Sequence, residues 1–382
     1  MTLWMVAHAR DALIPHRIPW IRHVQAQGWD VVALFPEGQA PAKPFPARIH
    51  TFPYDRRTLL PYRMWPSVHA LRKIVRRDPP DLVHAFSLRL GVYTAQAMGP
   101  AAREKLVVWF EGLGSAFLPG AGWRRRVYHI LARRAVRWLG NRARAFVALN
   151  ADDRDLLQAL VRTFPVFVVP GVGIDLDAWH PRRCHGRHRW RRDRGVAEHT
   201  WVVLYAGRMI ADKGVRVLRD AWRELRQLPD AQLWLVGDVD PANPSSLTDE
   251  ELHRWMDEDP RIRWWGYQAP LLPWLCAADV VVLPSFREGL PRLVLEALAL
   301  ERPVVITDVP GNRALVPSRA HGWRIPSGDV RVLADTLLQV YRQPDEAQRR
   351  GRTGRQWVAR HFALPRVLDA IDTLHRTLES KA

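Results

Sequence analysis

Two glutamates, Glu288 and Glu296, stand eight positions apart in "PSFREGLPRLVLEALAL", within a 382-residue chain of formal net charge +18. The first follows the apolar run "VVVLP" and a short loop; the second lies in a helix-like run after Pro291. Proline is favoured early in a helix because its missing N–H costs nothing there. The amides near Gly289 and Leu290 are then expected at a helix N-terminus, beyond the carboxyl end of a strand. Ligands of open α/β sheets bind in that place, and the helix end favours anions. Carboxylates are poor partners for phosphate and good acceptors for neutral sugar hydroxyls. The combination suits a nucleotide sugar. Spacing alone fits equally well two exposed glutamates on an ordinary helix.

A second stretch, "LYAGRMIADKGVRVLRDAW", reads strand, loop, helix. Gly207 ends the strand without a Cβ and allows close approach. Arg208 and Lys213 bracket the loop, and Gly214 precedes the helix. Arginine offers a planar fork for phosphate and lysine a point charge. Together they form a diphosphate clamp able to stabilise charge on a departing nucleoside diphosphate. The bland reading is two surface cations. It is weakened by the scarcity of lysine, which occurs only at Lys43, Lys73, Lys105, Lys213 and Lys381.

The elements that must position these residues follow a repeated grammar. "LWMVAH", "DVVALFP", "DLVHAFS", "KLVVWFEG", "AFVALN" and "VFVVPG" read as strands alternating with helical segments such as "IPWIRHVQAQG". "TWVVLYAG", "AQLWLVGD", "IRWWGY", "ADVVVLPS" and "RPVVITD" repeat the pattern with more continuous apolar runs. Such runs belong to parallel sheets buried on both faces. The expectation is an α/β chain of two doubly wound, Rossmann-like domains facing a central cleft. Residues 1–174 form the first domain and 175–361 the second, and a final helix over about 362–382 is expected to pack back on the first. "GVGIDLDAWHP" reads as the connector.

At 47% hydrophobic residues, the composition excludes a disordered chain, and no apolar run approaches the length of a membrane span. "MTLWMVAHAR" reads as a first strand rather than a signal peptide. Cys184 and Cys276 are far apart in sequence and are expected to make no pair, which suggests a reducing, cytoplasmic location. Residues 1–175 hold 25 Lys/Arg against 12 Asp/Glu. That basic half implies an anionic partner (phospholipid, a diphosphate-linked substrate or nucleic acid), or simply an arginine-rich surface.

Together, "GRMIADKG" and "REGLPRLVLEALALERPVV" resemble the retaining glycosyltransferases of family 4, which have the GT-B fold. Glu288 and Glu296 match that family's E-x7-E signature, and the likeness continues through "ADVVVLPSFREG", "TDVPGNRALV" and "HGWRIPSGD". The resemblance implies that Arg208 and Lys213 bind the donor diphosphate and that Glu296 takes the ribose hydroxyls. Glu288 would contact the transferred sugar, with Gly207, Gly289 and Leu290 lining the donor site. "DLVHAFSLRLGVYTAQAMG" resembles the family's D-x-V-H strand-end motif, which would place His84 at the cleft near the donor sugar as a further catalytic residue. "EGLGSAF" and "VPGVGIDLDAWHP" resemble a subgroup extending undecaprenyl-diphosphate-linked sugars in bacterial glycan assembly. The implied activity is transfer of a hexosyl or N-acetylhexosaminyl group from a nucleoside diphosphate sugar to a lipid-linked or glycan acceptor. UDP is the usual nucleotide and GDP stays open. No cofactor or essential metal is expected. The chain departs from the family in lacking an N-terminal Gly-Gly pair, and Glu301 stands where glycine is common before "RPVV".

"GWRRRVYHILARRAVRWLGNRARAF", residues 122–146, carries eight arginines and no acid. Trp123, Val127, Ile130, Leu131 and Trp138 can share a helical face. A basic amphipathic helix with tryptophans reads as a membrane-surface element, here on the cytoplasmic face of the inner membrane. Packing on the sheet with a solvated basic face is the plainer reading. Asp238 and Asp240 in "GDVDP" read as a solvated turn rather than a metal motif. His180, Cys184, His185 and His188 match no zinc pattern. A catalytically idle, membrane-associated scaffold of the same fold remains an alternative. So, less strongly, does a nucleic-acid-binding protein, although no nucleic-acid module is present.

Overall fold

The computed structural model describes residues 1–382 except 11–12, 15, 42–43, 56–63, 114–116, 118–122 and 381–382, and describes only the backbone of 124–125. Part of "EGLGSAF", part of "VAHARDALIPHR" and Gly122 therefore lie outside the described residues. The chain divides into two compact units, Met1–Val172 with Val367–Ala382, and Gly173–Arg366.

In the first unit, β1 (Thr2–Val6), α1 (Ile18–Ala26), β2 (Asp30–Pro36) and β3 (Arg48–Phe52) are followed by α2 (Trp65–Arg77) and β4 (Leu82–Phe86). Then come α3 (Leu88–Met98), α4 (Ala102–Lys105), β5 (Leu106–Phe110), α5 (Trp123–Gly140), β6 (Ala145–Ala148), α6 (Ala151–Val161) and β7 (Val166–Val168). All strand pairs are parallel, in the order β3-β2-β1-β4-β5-β6-β7. Strands β4, β5 and β6 are buried at every position, as a sheet covered on both faces requires. The sequence reading missed β3: "RIHTF" is half-exposed at the sheet edge and lacks the apolar run of its neighbours. Ser87 and Asn150 cap α3 and α6 through side-chain oxygens that accept from Leu90 N and Asp153 N.

The second unit contains α7 (Arg187–Arg192), β8 (Trp201–Ala206), α8 (Val215–Arg223), β9 (Ala231–Val236), α9 (Asp249–Glu258), β10 (Ile262–Trp264) and α10 (Leu272–Ala277). It continues with β11 (Val280–Leu283), α11 (Arg292–Ala299), β12 (Val304–Thr307), α12 (Pro310–Leu315), β13 (Trp323–Ile325), α13 (Val330–Arg342) and α14 (Pro344–His361). Its parallel sheet runs β10-β9-β8-β11-β12-β13. The last helix, α15 (Leu364–Glu379), counts from Val367 with the first unit. In each sheet the strand order reverses once, between β1 and β4 and between β8 and β11. Those are the positions where the loops beyond the strand ends part to leave a crevice.

One expectation fails here. Cys184 and Cys276 form a disulfide, their Cα atoms 5.0 Å apart across 92 residues of sequence. The turn Pro181–Gly186 and α7 pack against α10, so tertiary packing brings together two residues that spacing keeps apart. The tryptophans Trp4, Trp109, Trp222 and Trp234 are fully buried. Glu301, at the glycine-favoured position, has φ 58°, the left-handed region where a side chain is strained.

Candidate active site

Beyond β8, the chain turns through Ala211–Lys213 into Gly214, whose φ is 74°. A Cβ there would lie 2.0 Å from Pro284 O, so only glycine lets the start of α8 press against the end of β11. Phe286 N donates to Asp212 O at 3.0 Å, fastening the two loops across the β8/β11 switch point. Lys213 Nζ donates to Glu288 Oε1 at 2.6 Å across that junction. Glu288 is 8% exposed, so the carboxylate is nearly desolvated and the ammonium half-buried. Beneath them the buried Tyr205 hydroxyl donates to Arg208 O at 2.8 Å. Burial, and then the negative charge of Glu288, push that hydroxyl well above its ordinary pKa.

Arg208 Nη1 donates to Asp240 Oδ2 at 2.8 Å. "GDVDP" is a solvated turn, as expected, with Asp238 exposed; within it Asp240 pairs with Arg208, and Asp238 Oδ1 accepts from Tyr267 N at 2.7 Å. Local sequence held no signal for this pairing, because β9 lies beside β8 only through the sheet order.

Pro291 takes the capping position before α11 with an extended ψ of 118°, one residue ahead of the helix it was expected to open. Gly289 and Leu290 precede it. A Cβ on Gly311 would lie 2.2 Å from Gly289 O, and Gly311 N donates to Glu288 O at 3.2 Å, so the start of α12 holds the Glu288 loop by its backbone. Thr307 Oγ1 donates to Ser285 O at 2.5 Å, and Asn312 Nδ2 donates to Thr307 O at 2.9 Å. This buried network underpins the loop, and the sequence reading gave none of it a role.

Glu296 lies in the second turn of α11 and is 5% exposed. Arg292 Nη2 donates to its Oε1 at 2.7 Å and Arg292 Nε at 3.1 Å. Helical side chains lean toward the N-terminus, so this pair aims the carboxylate at the Glu288 end of the helix. Burial pushes the Glu296 carboxyl up and Arg292 pulls it back down. The loops after β8, β9, β11 and β12 thus bring together Gly207, Arg208, Lys213 and Glu288 with the backbone of Gly289 and Leu290. Cations, helix-end amides and buried carboxylates meet at one end of one sheet, which suits a ligand with both phosphates and hydroxyls.

His84 departs from expectation. It is not at a strand end: β4 continues to Phe86, and the ring is fully buried. Trp109 Nε1 donates to His84 Nδ1 at 2.5 Å, so the ring proton sits on Nε2, which donates to His375 Nε2 of α15 at 3.2 Å. The Trp20 ring of α1 stands edge-on at 5.3 Å. Burial holds His84 well below its ordinary pKa, helped by the unfavourable electrostatics of His375 and Arg17 toward a second charge. Its observed work is to hold α15 to the sheet.

The basic segment also differs in detail. The helix is α5, ending at Gly140, and β6 begins at Ala145. Ala132, Val136 and Leu139 face the core, whereas Trp123, Val127, Ile130 and Leu131 are 71, 45, 49 and 52% exposed. Trp138 leaves the expected face: it packs against the core with Arg142 over its ring at 4.4 Å. No helix among the described residues is long and apolar enough to cross a membrane.

Residues 20–178 match the family described as Glycosyltransferase Family 4, and residues 200–343 match Glycosyl transferases group 1. The chain is 24% identical over 348 residues to the putative glycosyltransferase EpsD of Bacillus subtilis (strain 168), covering 90% of this chain and 88% of that one. It is 24% identical over 282 residues to the UDP-Gal:alpha-D-GlcNAc-diphosphoundecaprenol alpha-1,3-galactosyltransferase of Escherichia coli, covering 72% and 70%. Among solved structures, sucrose-phosphate synthase from Thermosynechococcus elongatus superposes with a TM-score of 0.86 at 19% identity over all of both chains. HepE of Anabaena in complex with UDP-glucose gives 0.77 at 18% identity, covering 98% of this chain and 100% of that one. Two parallel, Rossmann-like sheets, an intact loop constellation beyond the second, and matches to both halves agree: the chain is a glycosyltransferase of the family 4 type with the GT-B fold.

Proposed function

We propose that the protein moves a sugar, with retention at the anomeric carbon, from a UDP-sugar to a sugar carried on a lipid diphosphate in bacterial surface polysaccharide assembly. The Lys213–Glu288 bond across the β8/β11 switch point carries this reading, because it sets a cation and a carboxylate side by side where a nucleotide sugar needs both. Arg208 and Lys213 take the diphosphate, Glu288 a hydroxyl of the transferred sugar, and Glu296 the ribose. The bond from the anomeric carbon to the diphosphate oxygen breaks. The acceptor oxygen bonds to that carbon on the same face, and its proton passes to the leaving diphosphate. The protein's part is positioning and charge stabilisation. Arg208 and Lys213 meet the developing charge, and no metal is assigned a part. His84 is withdrawn from the catalytic set.

The names of two relatives support the acceptor class: the Escherichia coli enzyme above, and the N,N'-diacetylbacillosaminyl-diphospho-undecaprenol alpha-1,3-N-acetylgalactosaminyltransferase of Campylobacter jejuni, 22% identical over 317 residues. A lipid-borne acceptor requires a membrane surface. The exposed apolar row of α5, set among the half-exposed or exposed Arg126, Arg133, Arg134 and Arg137, supplies one contact for it. The proposed place is the cytoplasmic face of the inner membrane, which now rests on the nucleotide-sugar donor and no longer on unpaired cysteines.

The test is a thermal-shift panel of UDP, GDP, ADP and their common sugar conjugates on the wild type and Lys213→Ala. A ligand at a hundred times its Kd stabilises by about 2.7 kcal/mol. Stabilisation by UDP and one UDP-sugar, lost in the variant, is the expected result. A response to GDP alone overturns the donor assignment, and no response to any nucleotide overturns the donor site.

A further inference from the structure

A second set of ionisable groups gathers at the switch point of the first sheet, between β1 and β4. His8 follows β1, Phe86 ends β4 and Glu111 follows β5. His8 Nδ1 lies 3.0 Å from Phe86 O; a carbonyl only accepts, so Nδ1–H donates and ties the two strand ends together. Arg17, at the start of α1, is 3% exposed and donates through Nη2 to Glu111 Oε1. Its guanidinium lies over the Phe86 ring, 4.1 Å from the centroid. Glu111 Oε2 lies 3.9 Å from His8 Nδ1, and the carboxylate side chain is 27% exposed. One end of Glu111 is therefore fixed by a buried cation, while the group itself reaches solvent beyond the strand ends.

Burying a guanidinium is costly, and apolar packing would hold a loop as well. The arrangement is understood better as a device for aiming a carboxylate. Arg17 and Glu111 pair one positive with one negative group. A carboxylate whose orientation is fixed in advance is suited to neutral hydroxyl donors.

We propose that Glu111 receives a hydroxyl of the acceptor sugar, with Arg17 as its positioning residue and His8 as a neighbouring contact that narrows the choice of sugar. This rests on the lipid-linked acceptor proposed above. It gives the first sheet's switch point the hydroxyl-reading part that Glu288 plays at the second.

The test uses the full-length protein, UDP-sugars, and farnesyl diphosphate carrying N-acetylglucosamine, N-acetylgalactosamine, glucose or galactose as acceptors. Glu111→Gln keeps a bond to Arg17 but loses the charge. Its acceptor KM should rise about tenfold or more, in line with loss of a charged hydrogen bond, while the donor KM moves less than about twofold. If Glu111→Gln does not fold, His8→Gln at a half-exposed position carries the test, with a smaller rise in acceptor KM alone. An unchanged acceptor KM, or equal rises for donor and acceptor, overturns the proposal. No transfer by the wild type to any of the four acceptors is a different failure: it removes the lipid-linked acceptor reading, and this proposal falls with it.

Discussion

Lys213 and Glu288 are 75 residues apart in sequence, yet Nζ and Oε1 lie 2.6 Å apart across the junction of β8 and β11. Each is the other's charge partner, so stability and catalysis can be separated by mutation. Lys213→Ala should lower kcat/KM by about a hundredfold or more. It should also destabilise by about 1–3 kcal/mol, because a nearly buried carboxylate loses its partner. Adding Glu288→Gln should restore part of the melting temperature without restoring turnover. Recovery of activity in the double variant would argue against the diphosphate role of Lys213.

Asp240 aims Arg208 from a neighbouring strand end, and the pair is half-exposed. Asp240→Asn should therefore raise the donor KM by about two- to fivefold and leave the melting temperature nearly unchanged, as exposed ion pairs contribute little. Steady-state kinetics with varied UDP-sugar checks this. An unchanged donor KM would mean that Arg208 needs no orienting partner.

The buried His84–His375 contact makes the docking of α15 sensitive to acid. Burial lowers His375 to about 4, with Asp372 pulling it up and His23 down. A histidine whose folded pKa lies below its unfolded value contributes stability that is fully present above about 6.5. That stability is lost as the pH falls from there toward about 4. The loss from His375 amounts to about 3 kcal/mol. Melting temperatures between pH 7 and pH 4 should fall for the wild type and fall less for His375→Leu. Parallel curves would show that other groups govern acid unfolding.

Trp123 and Leu131 are 71 and 52% exposed on α5, so replacing them should spare the fold. Trp123→Ser with Leu131→Ser should weaken flotation with phosphatidylglycerol vesicles by about tenfold or more, given the free energy of burying two large apolar side chains. Added salt should weaken binding of the wild type further. Equal flotation of variant and wild type would show that α5 is not the membrane contact.

With Arg208 and Lys213 meeting the developing charge, transfer should persist within about twofold after EDTA treatment and dialysis. Loss of turnover that magnesium or manganese restores would assign the charge stabilisation to a metal.

The sequence by itself determined the elements and their chemistry. Short apolar runs such as "VVLYA" and "VVVLP" are typical of strands in a doubly covered sheet, and the loops that follow these two carry Arg208, Lys213 and Glu288 at strand ends. These features were legible because they are local: a strand, its loop and the next helix are contiguous in the chain. Strand order and helix packing are not local, and they decided the rest. Strand order set Asp240 beside Arg208 and Glu111 near His8, while helix packing set Cys184 against Cys276. His84 is an interior residue because Trp109, Trp20 of α1 and His375 of the docked α15 all close over it. Whether a carboxylate reads a ligand or only a neighbour depends on what the opposite strand end presents, and that is settled when the sheet assembles.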